Sequence, residues 1–241
     1  MGITGEVLLT LGGLTTLFWV WHLGINDWIQ GSSQERAAER VAEQWAEELN
    51  ELSFGKARGD AEGRERAGEP PVIEPVAAGE TFALIYVPRF GDDYVRPVAE
   101  GVDLITVLND PELGVGRYPE SSALGEIGNF AVAAHRTTYG APFADIAQLR
   151  VGDRIFIEVK EGWYSYRFRN VEYVWPTEID VLNPIPHVEG AEPTQSLLTM
   201  TSCHPKFSEA ERIIAYSVFD TWYPRSEGPP SEIAHLTGAV T

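Results

Sequence analysis

The chain has 241 residues, room for one ordinary domain with appendages, and 44% of them are hydrophobic, as in a globular protein. Acidic residues outnumber basic ones 36 to 18, and the net charge of −18 argues against binding to nucleic acid, whose phosphates attract Lys and Arg. The single cysteine excludes an intramolecular disulfide and a cysteine-rich zinc site, but it does not exclude an extracellular location.

The N-terminal segment is apolar. Val7 to Ile25 contains no Asp, Glu, Lys or Arg, and as a helix it would measure roughly 28 Å, about the hydrocarbon thickness of a bilayer. Trp19, Trp21 and Trp28 lie at its C-terminal end, as in the aromatic belt of a membrane interface. A cleaved signal peptide fits less well, because a basic start and a clear cleavage site are missing. A buried core helix is the other alternative, and we predict a membrane anchor over residues 1–29.

A helix and a linker follow the anchor. Ser32 and Glu35 match a capping box, and apolar residues continue at helical spacing to residue 52. We predict an amphipathic stalk helix over residues 30–52, either solvated or packed on the domain. Residues 53–79 are rich in Gly, Pro, Glu and Arg, which predicts a flexible linker.

From Glu80 the chain consists of short β-branched and aromatic runs bounded by turn residues. The predicted strands are 82–87, 102–108, 129–134, 154–159, 163–175, 196–203 and 212–222. One short helix fits 142–149. Many strands with almost no helix indicate a closed barrel or a sandwich over residues 80–224, and 225–241 is typical of a polar tail.

The only cysteine ends a predicted strand. Most free cysteines are small buried hydrophobic residues, but Cys203 lies where a side chain can face a cleft, directly after Thr201 and Ser202. Arg212 opens the next strand, and an antiparallel return would bring its guanidinium beside the sulfur. A positive charge there favours the thiolate, which is the nucleophilic form.

His135, like Cys203, lies at the end of a predicted strand. A run of small residues ends in His135 at a predicted turn, which leaves room for a substrate or a facing side chain. A lone histidine is more often structural, but a Cys, a His and an Arg at strand ends of one small barrel favour catalysis. His204 is the rival base, and we expect it to face away from Cys203 because neighbours on one strand point to opposite faces.

Together these stretches resemble the sortases, the cysteine transpeptidases of Gram-positive cell envelopes. The hallmark Thr-Leu-x-Thr-Cys is present as Thr199-Met200-Thr201-Ser202-Cys203, and the histidine motif as Ala133-Ala134-His135-Arg136-Thr137. The family arginine matches Arg212, and residues 114–119 resemble the Gly-x-Gly-His-Tyr turn, with Arg117 in place of histidine. The run that begins at His135 looks most like class E, the actinobacterial housekeeping type.

The resemblance implies a mainly β fold: a closed sortase-type β-barrel of about eight strands with short helices and an N-terminal transmembrane helix. It implies that Cys203 attacks a threonine carbonyl in a Leu-Ala-x-Thr-Gly-like sorting signal and forms a thioacyl-enzyme. Arg212 would stabilise the thiolate, the oxyanion or the bound peptide. His135 would protonate the leaving amine and then deprotonate the incoming one.

Four residues are predicted to contact the signal peptide: Tyr86, Tyr139, Thr201 and Ser202. The implied partners are secreted proteins that carry the sorting signal, an amine of a peptidoglycan precursor, and the membrane through the N-terminal helix. The catalytic domain would lie on the extracellular face of the cell membrane. No nucleic acid, metal or other cofactor is expected.

Two other classes of function are alternatives to a sortase. Papain-like proteases, caspases and cysteine L,D-transpeptidases differ in residue order or in the motif around the cysteine, and their signatures are absent. A membrane-tethered, non-catalytic binding module on a sortase-like barrel stays open. Labelling of Cys203 by an electrophile would discriminate between that module and an enzyme.

Overall fold

The computed structural model describes residues 2–21, 25–56 and 69–237. Its centre is a barrel of eight strands. They are β1 (Thr81–Tyr86), β2 (Val95–Glu100), β3 (Val115–Arg117), β4 (Gly128–Ala134), β5 (Arg154–Val159), β6 (Gly162–Val174), β7 (Ser196–His204) and β8 (Glu211–Pro224). The predicted closed barrel is confirmed.

The strands are hydrogen-bonded in the order β1-β2-β3-β4-β7-β8-β6-β5, and β5 pairs with β1 to close the barrel. Two of the pairings, β2 with β3 and β4 with β7, are parallel, and the other six are antiparallel. Inward side chains of all eight strands fill the barrel with apolar groups; examples are Ile85, Phe130, Ile157, Tyr166 and Met200. Because a closed sheet has no free edge, the barrel presents its strand ends as two rims.

The predicted strand 102–108 is wrong. Leu104–Leu108 form a π-helical turn, and the Asp103 carboxylate accepts hydrogen bonds from the backbone N–H groups of Ile105 and Thr106. A short apolar run fits a strand and a buried helical turn equally well, and here the capping carboxylate decides for the turn. The predicted helix 142–149 is also reduced, to the 3-10 turn Ile146–Gln148.

Strands β2 and β3 were not predicted. β2 contains Arg96, Pro97 and Glu100, residues that are uncommon within strands, and β3 has only three residues. These charged side chains are buried, and ion pairs accommodate them. Arg96 Nη1 lies 2.9 Å from a carboxylate oxygen of Glu35, and Arg117 Nη1 lies 2.7 Å from one of Glu100.

Two helices precede the barrel. Helix α1 (Ile3–Val20) has no buried residue, and within the described ranges it is the one helix whose length and apolar composition suit a membrane crossing. Trp19, Trp21 and Trp28 are exposed. Helix α2 (Asn26–Lys56) begins before and ends after the predicted 30–52. Ser32 is therefore inside a helix, where its hydroxyl donates to the carbonyl of Ile29 instead of accepting from a capping N–H.

Helix α2 packs on the outer face of the barrel. Ala38 and Trp45 are buried against an apolar cluster to which β1, β2, β5 and β6 contribute; its barrel members are Leu84, Tyr86, Val95, Phe156 and Trp163. A Lys160–Glu48 ion pair of 2.7 Å lies nearby at the surface. The helix is thus part of the folded domain, because burial of these side chains removes apolar surface from water.

The predicted linker and tail both contact the barrel. Residues 53–56 continue α2, residues 57–68 lie outside the described ranges, and Ile73 donates its backbone N–H to the carbonyl of Leu124 at 2.9 Å. In the tail, Ile233 is fully buried in the cluster beneath α2, and Arg225 pairs with Glu158 at 2.7 Å. The sequence did not predict these contacts, because the tail is polar overall and is attached through only a few residues, among them one buried isoleucine and one arginine.

Candidate active site

Cys203 and Arg212 lie directly opposite each other. Strands β7 and β8 are antiparallel, and their register pairs Cys203 with Arg212. Strand β4 lies on the other side of β7 in parallel, with Ala133 opposite Thr201. Because both strands run in the same direction, His135, two residues after Ala133, leaves the barrel at the same rim as Cys203.

The three side chains line one cleft of about 200 Å³. The rest of its wall is mostly apolar and comes from the π-helical turn and the end of β4; these residues are Val102, Leu104, Leu108, Ala133 and Ala134. Leu104 is 57% exposed, so it offers apolar surface to a bound molecule. A concave, mainly apolar cleft with a few converging polar groups is typical of a ligand site.

The imidazole of His135 is held on two sides. Its Nε2 lies 2.8 Å from Oδ1 of Asn109, so Nε2 donates to the amide oxygen. The ring stacks on Tyr139, with centroids 5.0 Å apart and planes at 30°. Partial burial lowers the pKa of His135, and the carboxylates of Glu209 and Asp27 oppose that shift.

The guanidinium of Arg212 is anchored by backbone. Its Nη1 donates to the carbonyls of Glu209 and Glu211, each at 3.1 Å. These bonds fix one nitrogen and leave the other donors of the planar group available at the cleft. A fixed positive charge opposite the sulfur stabilises an anion that forms beside it during a reaction.

Two residues of the site had no predicted role, Asn109 and Tyr118. The hydroxyl of Tyr118 lies 2.9 Å from Oγ1 of Thr201. Burial raises the pKa of Tyr118, and the hydrogen bond to Thr201 and the charge of Arg212 oppose that shift. The Gly-x-Gly-His-Tyr-like turn contains this tyrosine, so a signal for Tyr118 existed, whereas nothing near Asn109 indicated its contact with His135.

The four residues predicted to contact the substrate lie in different places. Thr201 and Ser202 lie on the wall of the cleft, but the Ser202 hydroxyl donates to the carbonyl of Ala134 at 2.7 Å and ties β7 to β4. Tyr139 covers His135 at the entrance and is 36% exposed. The prediction for Tyr86 is wrong, because its side chain is 1% exposed beneath α2 and its hydroxyl donates to the Glu158 carboxylate.

The rival base, His204, faces away from the cleft, as expected. Its Nδ1 lies 2.6 Å from Nη1 of Arg136, which donates to it, and its ring packs against Tyr173 at 4.3 Å. Nε2 lies 3.8 Å from a Glu211 oxygen. These contacts occupy the ring on the face of β7 opposite to the sulfur of Cys203.

A second cleft of about 460 Å³ is polar and lies elsewhere on the barrel. Its three arginines are each paired with an acid: Arg89 with Asp153, Arg154 with Glu232 and Asp220, and Arg167 with Asp220. Its charges therefore balance one another. Across the described ranges, no group of three His, Cys, Asp or Glu side chains is arranged to hold a metal ion.

Comparison with known proteins identifies the family of this chain. A family model for the sortase domain matches residues 85–219. Sortase SrtE1 of Streptomyces coelicolor is 30% identical over 235 residues, which is 95% of this chain and 60% of SrtE1, and SrtE2 of the same organism is 26% identical over 220 residues, 90% of this chain and 80% of SrtE2. This chain therefore spans about three fifths of the length of SrtE1.

Two solved structures are similar along most of the barrel. The SrtA sortase from Actinomyces oris superposes with a TM-score of 0.66 at 35% identity, covering 73% of this chain and 99% of that one. Sortase E1 from Streptomyces coelicolor, solved with a tripeptide in the active site, gives a TM-score of 0.59 at 32% identity, covering 66% of this chain and 99% of that one.

Proposed function

This chain belongs to the sortase family, and from that premise we propose that it is a cysteine transpeptidase with Cys203 as nucleophile. The convergence of Cys203, His135 and Arg212 on one cleft carries the proposal. A thiol opposite a fixed guanidinium, with an imidazole at the same rim, is the set of groups that acyl transfer through a thioester requires.

In the first half-reaction, the Cys203 thiolate attacks the carbonyl carbon of the threonine in the signal peptide. A C–S bond forms, the following C–N bond breaks, and protonated His135 gives its proton to the departing amine. Arg212, opposite the sulfur in the β7–β8 register, stabilises the thiolate before attack and the oxyanion during it.

In the second half-reaction, an amine attacks the thioester and neutral His135 accepts its proton. A new C–N bond replaces the C–S bond, and the thiolate is regenerated. Water in place of the amine gives hydrolysis. The lowered pKa of His135 increases the neutral fraction that serves as base in this step.

The substrate we propose is a Leu-Ala-x-Thr-Gly-like sorting signal, and the acceptor is an amine of a peptidoglycan precursor. Similarity to SrtE1 and to the sortase E1 solved with a tripeptide supports a peptide in this cleft. The apolar wall, with Leu104 exposed, suits leucine and alanine side chains. The apolar helix α1 supports anchoring in the cell membrane. The catalytic domain is proposed to lie on the extracellular face, as membership of a family of cell-wall enzymes implies.

The experiment uses the full chain in detergent, because α2 is packed on the barrel and a truncated domain would lose that contact. The protein is incubated with a Leu-Ala-x-Thr-Gly peptide and a glycine-based amine, and the products are measured by mass spectrometry. A product joined at threonine is expected, and it should be missing with Cys203→Ala. Absence of any product, with Leu-Pro-x-Thr-Gly peptides as well, refutes the proposal.

The role of His135 has its own matched pair of variants. His135→Ala should lower turnover by about 100- to 10,000-fold, the usual range for loss of a general acid and base. His204→Ala removes a histidine on the face of β7 opposite to Cys203 and should leave most of the turnover. The reverse order would assign the proton transfer to His204.

A further inference from the structure

The first turns of α2 lie against the loop that follows His135. The side chain of Gln34 is fully buried, and its Nε2 donates to the backbone carbonyl of Tyr139 at 3.1 Å. A carboxylate oxygen of Asp27 accepts from the backbone N–H of Thr138 at 3.1 Å. Two side chains of one helix therefore hold two consecutive residues of this loop.

The loop has a backbone that needs such support. Thr138, Tyr139 and Ala141 have φ angles of 63°, 51° and 42°, and Gly140 between them has 77°. Residues other than glycine rarely adopt positive φ, and a run of them persists only where the surroundings hold it in place. The helix approaches closely enough to do so, because a Cβ built on Gly140 would lie 3.0 Å from the backbone nitrogen of Gly31.

The same loop presents Tyr139 to His135. The two rings are stacked 5.0 Å apart, and the backbone N–H of Phe143 returns to the carbonyl of His135 at 3.0 Å. The loop thus begins after His135, and its far end is hydrogen-bonded back to the same residue. A shift of the Tyr139 backbone would move the ring that covers the imidazole.

We propose that Gln34 is a positioning residue of the active site, which holds Tyr139 and through it His135 in the geometry for proton transfer. The inference rests on the proposed function, since positioning has meaning only for an imidazole that transfers protons. It gives α2, the helix next to the membrane-spanning candidate α1, a direct connection to the catalytic rim.

A purely structural role for Gln34, fastening α2 to the barrel, is the alternative. The helix has other attachments further along, where Ala38 and Trp45 are buried in the apolar cluster, and Glu35 pairs with Arg96 at 2.9 Å. The helix should therefore stay docked without the Gln34 hydrogen bond. The loop has fewer attachments, so the loss should appear there.

The test uses the full chain in detergent with two matched variants. Gln34→Met removes the donor and keeps the length and shape of the side chain. Gln44→Met makes the same change at an exposed position of the same helix. Losing one buried hydrogen bond should lower kcat for amine transfer roughly three- to tenfold in Gln34→Met. KM should stay within about twofold, since binding and proton transfer are separable, and Gln44→Met should match the wild type.

Hydrogen–deuterium exchange supplies the second readout. Exchange of residues 137–142 should rise in Gln34→Met while the amides of α2 stay as protected as in the wild type. Unchanged exchange, unchanged kcat, or loss of protection along the whole of α2 would each overturn the positioning role. A wild type without any transfer product would refute the proposed function itself, and an active Gln34→Met with wild-type kcat refutes only the positioning.

Discussion

Exchanging Asn109 for aspartate would place a charge on the residue that holds the His135 imidazole. Oδ1 of Asn109 lies 2.8 Å from Nε2 of His135, and aspartate has nearly the same shape, so Asn109→Asp changes the charge and little else. In the wild type, burial lowers the pKa of His135. A carboxylate at this position stabilises the imidazolium and should raise that pKa.

The size of the effect follows from the distance. Two unit charges about 4 Å apart interact by about 4 kcal/mol at an effective dielectric constant of about 20. Since a pKa change of one unit corresponds to about 1.36 kcal/mol, the upper bound is close to 3 units. His135 is only partly buried, and solvent screening leaves an expected rise of about 1 to 3 units.

NMR titration of histidine-labelled protein measures this pKa directly. The chain has five histidines, and the spectrum of His135→Ala assigns the signal. Asn109→Ala is the control, because it removes the hydrogen bond without adding a charge. An unchanged pKa in Asn109→Asp, or an equal rise in both variants, would refute the reasoning that Asn109 lies in direct contact with His135.

The same variant has a kinetic consequence. A raised pKa leaves fewer neutral imidazoles at neutral pH, so the proton acceptor for the incoming amine becomes scarce while the acid for the first step becomes abundant. The thioacyl-enzyme should therefore accumulate in Asn109→Asp and be visible by intact-protein mass spectrometry. No accumulation, with the pKa raised as expected, would assign the base of the second step to another group.

Three further predictions concern the barrel surface. Trp45→Ala should lower the free energy of unfolding by about 3 to 5 kcal/mol, measured in urea, because the indole is buried under α2; a loss below about 1 kcal/mol would contradict this packing. Tyr86→Phe should cost about 1 to 3 kcal/mol and leave the preference between alanine and proline in the signal unchanged, and a changed preference would contradict the burial of Tyr86. Hydrogen bonds to Glu172 and Asp180 raise the pKa of His187. The stabilisation of the fold by protonated His187 is therefore complete below pH about 6.5 and is lost as the pH rises through the raised pKa. Exchange of residues 179–188, corrected for its intrinsic pH dependence, should therefore increase with pH in the wild type, and the same increase in His187→Gln would contradict this role.

The meeting of Cys203 and Arg212 was predictable from the sequence. Two strongly apolar strands joined by a short polar loop form an antiparallel hairpin, and that geometry places the end of one strand opposite the start of the next. The position of His135 beside Cys203 could not be predicted from a hairpin, because β4 and β7 are parallel and are separated by two other strands in sequence. Only the motif around His135, and not any local pattern, indicated that it joins Cys203.

Tyr86 and Asn109 show that local sequence patterns do not predict every side-chain contact. β1 has a helix on its outer face, so Leu84, Ile85 and Tyr86 are all buried, and alternation of polar and apolar residues no longer tells which face a side chain occupies. Asn109 reaches His135 from the end of a π-helical turn. Its contact depends on a hydrogen bond between residues 26 positions apart, which no short window of sequence contains.

The parallel pairing of β4 with β7 positions the catalytic residues, whereas the segment before β7 is largely a surface connection. The alignment of His135 with Cys203 is set by backbone hydrogen bonds between the two strands. The segment 175–195 that leads into β7 joins this pairing at its last residue, where the carbonyl of Gln195 accepts from the backbone N–H of Gly128 at 3.0 Å. That segment touches β4 through Asn129, whose Nδ2 donates to the carbonyls of Val181 and Asn183, each at 3.0 Å. A graft that keeps these carbonyls and the buried side chain of Val181 could therefore exchange other positions of the segment without redesigning the catalytic rim.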